Sequence, residues 1–132
     1  MSNQVVKKST IEIEVGLNSS NVPESIKWRA TDNPNGDGFT ECKAMTLAVF
    51  DKDHLDTLKI DLWTKEMQIV EMDRFVFQTM RSLADTYYRS TNNEKLANEM
   101  QSFIDHFGRQ TGIITDDQSD SEAGGMNLSE LY

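Results

Sequence analysis

Three groupings of residues have types and spacing that could do chemistry. Asn33, Asn35 and Asp37 alternate ahead of Gly38, as ligands do in the first half of a calcium loop. The pattern then fails, because Ala44 stands where a bidentate Glu is needed and Pro34 stiffens the start. Residues 32–39, DNPNGDGF, read instead as a turn centred on Asn-Gly. Asp51, Asp53, His54 and Asp56 gather three carboxylates and an imidazole. Their spacing fits no standard metal site, and charged residues at a hairpin tip are expected in water. Cys42 could act as a nucleophile only with a His close in space. His54 and His106 are the only two in the chain, and neither sits in a catalytic motif. Cys42 therefore reads as a small apolar packing residue. No Gly-rich phosphate loop, GxSxG or zinc spacing is present. The expectation is a non-enzymatic chain with no metal and no cofactor.

The elements around these residues are legible from hydrophobic period. Residues 9–17 alternate, with Ile11, Ile13, Val15 and Leu17 on one side and Glu12 and Glu14 on the other. Residues 25–31 alternate again, Ile26, Trp28 and Ala30 against Lys27 and Arg29, so outward bases can face outward acids. Residues 40–51 read as one longer strand with apolar residues on both sides: Ala44, Ala48 and Phe50 on one, Met45, Leu47 and Val49 on the other. A polar loop over 51–56 leads to a last strand over 57–63, with Leu58, Ile60 and Leu62 expected inward.

From about residue 69 the period becomes helical. Met72, Val76, Met80, Leu83 and Tyr87 mark one face, and Phe77, Ala84 and Tyr88 a second stripe beside it. That second stripe reads as part of a wide core face, or as a surface that meets another subunit. A second helix opens at Thr91 and Glu94, which have capping-box spacing. Leu96, Met100, Phe103 and Phe107, with Ile104 beside them, form its stripe, and Gly108 or Gly112 its stop. Strands followed by helices imply an α+β fold: a four-stranded antiparallel sheet with two C-terminal helices packed on one face. The organisation expected is a leader over residues 1–8, a single domain over 9–114 and an acidic tail over 115–132.

Composition narrows the partners. At 132 residues there is room for one core. The net charge is −9, which repels phosphate backbones and anionic lipid, so nucleic acid and membrane surfaces are disfavoured. Five of the acids (Asp116, Asp117, Asp120, Glu122 and Glu130) follow Arg109, with no Lys or Arg after it; taking them away leaves −4. No apolar run approaches the roughly 20 residues of a membrane span, so no insertion is expected. The N-terminus has no apolar signal region, and a single Cys suits a reducing compartment; both point to the cytoplasm.

One surface stands out as a candidate for protein contact. By alternation Trp63 points away from Ile60 and Leu62, toward the side where Met45, Leu47 and Val49 can also lie. An outward Trp among apolar neighbours is a partner-binding candidate, against an indole that turns inward at the strand end. Beyond Gly124-Gly125, the segment Met126 to Tyr132 reads as a plain tail or a docking segment.

Several words of the central region carry a resemblance. Asp61-Leu62-Trp63-Thr64-Lys65 with Met67, Glu71-Met72, Gln78-Thr79, Ala84-Asp85-Thr86, and Arg89 with Thr91-Asn92 resemble the gliding motility protein GldC family. Phe103 with Phe107, Val22-Pro23-Glu24 and Trp28 extend the likeness over roughly residues 9–113. Gln68, Val70 and Phe77 depart from what family members tend to carry there. The resemblance implies a small accessory protein of bacterial gliding motility, with protein partners in that machinery or self-association, and it brings no catalytic residues. A client-holding protein, like the export chaperone SecB in the order of its elements, is the alternative.

Overall fold

The computed structural model describes residues 3–115. These divide after Met67 into two compact units, a sheet unit and a helical unit. The expected acidic tail lies outside the described residues, save Thr115.

In the sheet unit, β1 (Ile11–Leu17), β2 (Pro23–Ala30) and β3 (Thr40–Cys42) form an antiparallel sheet in that order. Ile13 opposes Trp28 and Val15 opposes Ile26, so the apolar sets of both strands share one face. Ile26, on the central strand, is only 1% exposed, and Ala30 is buried with it. The other face is charged in register: Glu12 opposes Arg29, and Lys27 lies between Glu14 and Glu41. Arg29 closes a 3.0 Å ion pair on Glu12 and lies 4.5 Å over the Phe39 ring. The expected facing of acids and bases is therefore present. Half-exposed pairs of this kind contribute under about 1 kcal/mol, so they set register more than stability.

The single four-stranded sheet is not what forms. The stretch expected as one strand over 40–51 bends at Lys43. Its first part, β3, pairs with β2; its second, β4 (Ala44–Phe50), pairs only with β5 (Thr57–Trp63) in a separate two-stranded ribbon. The β2–β3 ladder ends at Ile26–Cys42, where Lys43 bends the chain out of the sheet. A register shift between Gly16 and Leu17 disturbs the same end of the sheet. The α+β class holds, with five strands in two sheets before two helices.

The helical unit is a hairpin. Helix α1 (Ile69–Thr91) opens with the Gln68 N–H donating to Glu71 Oε1 at 3.0 Å, which satisfies one orphan donor. It ends at Asn92, in the left-handed region at φ 58°. Helix α2 (Glu94–Gln110) starts two residues later, with Asn93 between. The expected Thr91–Glu94 capping box is not used. Thr91 is the last residue of α1, and its hydroxyl donates back to the Tyr87 carbonyl at 2.7 Å. Asn93 is the cap instead, its side chain accepting the Leu96 N–H at 3.1 Å. At the far end Gly112, at φ 78°, turns the chain away.

The helices run antiparallel, because Phe77 meets Gly108 while Tyr87 meets Asn93. Phe77, Ala84, Ile104 and Ile114 form the buried cluster, flanked by Met80, Met100, Phe107 and Ile113. The core of α1 is thus the stripe of Phe77 and Ala84. Val76 and Leu83, expected on its main buried face, are 37% and 58% exposed. On α2 the core residue is Ile104, while Phe103 is 57% exposed. Closeness explains the choice. A Cβ on Gly108 would stand 2.6 Å from both Phe77 Cε1 and Ile114 Cδ1, so the cluster closes only over a bare backbone. Gly108→Ala should cost about 1–3 kcal/mol by overpacking, despite the better helix propensity of Ala. The urea midpoint should fall accordingly, while Gly38→Ala, with nothing within 4 Å of the new Cβ, should leave it unchanged.

Candidate interaction site

The chemistry-bearing residues of the sequence do not converge. Asn33 accepts the Asn35 N–H at 3.0 Å, and the Gly36 N–H reaches the Asn33 carbonyl at 3.1 Å, at φ 115° for Gly36. These are turn contacts. Asp51 spends its carboxylate on its own loop, accepting the N–H groups of His54 at 2.6 Å and Asp53 at 3.1 Å, with His54 Nδ1 at 2.8 Å. Those bonds hold its carboxyl below the usual range. Cys42 is half-buried, its Sγ 3.9 Å from the Thr40 carbonyl, and burial raises its thiol. Among the described residues no three metal-ligating side chains gather.

The ribbon of β4 and β5 offers something different. Its loop closes with the Asp51 N–H on the Asp56 carbonyl at 2.8 Å, and Leu55 adopts φ 58°. Its open end closes with the Thr64 N–H on the Lys43 carbonyl at 2.8 Å. Between these ends the register sets Met45 opposite Leu62, Leu47 opposite Ile60 and Val49 opposite Leu58. Directly opposed residues share a face, with Cβ atoms about 5 Å apart. One side of the ribbon is therefore six apolar side chains in three facing pairs. Leu47, Val49, Leu58 and Ile60 are exposed, Leu58 at 62%. A ribbon seven residues long presents about 24 Å by 10 Å of such surface.

Trp63 is not part of that face. It opposes Ala44, on the side that carries Thr46, Asp61, Ala48 and Lys59. There the Thr46 hydroxyl donates to Asp61 at 2.5 Å, and Lys59 Nζ lies 3.1 Å from the other oxygen. The hydroxyl first, then the lysine, holds the Asp61 carboxyl low. Trp63 is outward, 57% exposed, at the corner of this polar side. Thus Met45, Leu47 and Val49 come together, Trp63 lies opposite, and Leu58, Ile60 and Leu62 join the patch rather than facing inward. Alternation says which residues of one strand share a side. It does not say which sides of two strands coincide. The length of the loop does: with six residues, 51–56, Phe50 opposes Thr57 and every other pair follows.

The ribbon thus carries a contiguous apolar face whose Leu47, Val49, Leu58 and Ile60 are exposed. No helix among the described residues is long and apolar enough to cross a membrane. The chain belongs to the gliding motility-associated protein GldC-like family, whose model matches residues 23–113, from the start of β2 to the segment after α2. The family resemblance carried by the DLWTK segment and its neighbours is thereby borne out. No curated protein and no solved structure matches the chain.

Two outcomes follow from this geometry. Trp63→Ala should change folding stability by less than about 1 kcal/mol, since the indole is mostly in water, whereas Ile26→Ala should cost about 2–5 kcal/mol; urea titration separates them. Asp51 and Asp61 both have folded-state pKa values below their unfolded ones, so the folded chain binds fewer protons. Their contribution is present above about pH 4 and is lost as pH falls through the folded values. Asp61→Asn should flatten the loss of stability as pH falls below about 4.

Proposed function

We propose that this chain is a non-enzymatic accessory protein of bacterial gliding motility, working in the cytoplasm by protein–protein contact. Membership of the GldC-like family supplies the process. The observation that carries the contact is the exposed face of Leu47, Val49, Leu58 and Ile60. Burying a Leu or Ile typically yields about 1.5–3 kcal/mol, so a few of these side chains suffice to hold a partner of the gliding machinery. Trp63 adds a second anchor on the polar side, of the aromatic kind that binding hot spots favour.

A client-holding role is the second reading, and the same exposed ribbon favours it. A holder of unfolded chains should suppress aggregation of a denatured model protein at stoichiometric ratio. An accessory protein with a dedicated partner should not.

The test is made in the native host. Deletion of the gene should impair gliding, and complementation with Ile60→Asp should fail although the variant accumulates to wild-type level. Trp63→Ala should weaken capture of motility proteins in a pull-down. Normal gliding in the deletion strain would remove the reading.

A further inference from the structure

The three-stranded sheet ends on β1, its outer strand; β3, at the other edge, is only three residues long. In an antiparallel ladder the N–H and C=O of one residue point to the same side, and successive residues alternate. Thr10 sets the phase. It accepts the Thr31 N–H at 3.1 Å and donates its own N–H to the Thr31 hydroxyl at 3.0 Å. Glu12, opposite Arg29, and Glu14, opposite Lys27, therefore turn their backbone groups toward β2. Ile11, Ile13 and Val15 turn theirs outward, where no strand of the sheet meets them. The ladder is open to one more strand on that side.

The charges say which kind of strand. Glu14, Lys27 and Glu41 stand in one row across the sheet, alternating in sign. Acidic β1 thus lies outside basic β2. Glu14 forms no ion pair among the described residues, and Glu12, although it accepts from Arg29, is half-exposed. Beside an incoming antiparallel strand, both acids would occupy the positions between hydrogen-bonded pairs. There Cα atoms approach to about 4.5 Å and opposed side chains are closest.

We infer that the β1 edge receives an extended segment of a partner protein in which Lys or Arg alternates with apolar residues. The backbone groups of Ile11, Ile13 and Val15 pair with it, its bases lie beside Glu12 and Glu14, and its apolar residues continue the face of Ile13 and Val15. The same geometry opposes a second copy of β1. Only outward-turned residues can exchange bonds, so Ile and Val must meet Ile and Val. Every two-fold register centred on residues 12–14 then sets Glu12 or Glu14 against an acid of the other copy. The acids that guard this edge against self-pairing are the ones that select a basic strand. The net charge of −9 draws such a segment in from a distance. None of the ribbon residues takes part, so this contact is separate from the one proposed above.

Fluorescence anisotropy on the full chain tests this, with a labelled peptide in which valine and lysine alternate. The peptide should bind at low salt and weaken as salt rises, and its valine–glutamate counterpart should not bind. Glu14→Lys should weaken binding by about 10-fold. Methylating the valine nitrogens of the peptide leaves its charge and the protein untouched. It should weaken binding by about 10-fold or more, because the donors to the outward carbonyls are gone. Amide hydrogen exchange should slow on binding at Ile11, Ile13 and Val15, but not at Glu12 and Glu14, which are already bonded to β2. Ile60→Asp should bind the peptide as the wild type does, so this contact and the ribbon contact fail separately. No binding of the lysine peptide at about 500 μM would overturn the inference, as would equal binding of the glutamate or the methylated peptide, or protection of other amides. Slowed exchange at Ile11, Ile13 and Val15 in the free chain as its concentration rises, the mark of a second copy on the edge, would overturn it too.

Discussion

The β2–β3 ladder holds only three residue pairs, ending at Ile26–Cys42, and the chain turns out of it at Lys43. Everything that follows in the sheet unit depends on that stop. Because β4 cannot stay on β2, it finds its backbone partners on β5 alone. A two-stranded ribbon cannot cover its own faces, so the apolar residues on both strands remain outside. Had the ladder run on, Leu47 and Val49 would have entered a wider sheet whose pairs would have been different ones.

Much of this was legible in the sequence. The alternation of residues 9–17 and 25–31, the turn at Asn35-Gly36 and the strand over 57–63 all appear where the pattern puts them. The division at Lys43 did not announce itself, since the alternation of residues 40–50 continues through it without a break. A strand reads the same to its own periodicity whether or not it changes partner. The identity of the apolar face was closer to hand. Counting six residues around the loop gives Met45 opposite Leu62, and with it the separation of Trp63 from Met45, Leu47 and Val49.

The helices show the other way in which period underdetermines packing. Two apolar stripes one residue apart were visible on α1, and hydrophobicity alone ranks the longer one first. What selects the stripe of Phe77 is steric: Gly108 on the facing helix has no Cβ, so the Phe77 ring and Ile114 close directly onto its backbone. A buried glycine inside a helix costs up to about 1 kcal/mol of propensity, and it is retained where another chain segment must come close. A glycine inside a helix, with a large side chain of its neighbour seated on it, is thus a better guide to a helix–helix contact than the count of large residues.

The strand β4 has a consequence outside the folded state. Its seven residues, AMTLAVF, carry no charge, no Pro and no Gly, and their neighbours Lys43 and Asp51 are the nearest charges on either side. Such a segment has the composition of a cross-β spine, and in the folded chain only one of its edges is paired, with β5. The flanking lysine and aspartate act as gatekeepers against stacking, but they guard the ends and not the middle. The unpaired edge of β4 is thus a place where one copy of the segment could template another, a hazard set by backbone pairing and independent of the side chains that make up the apolar face.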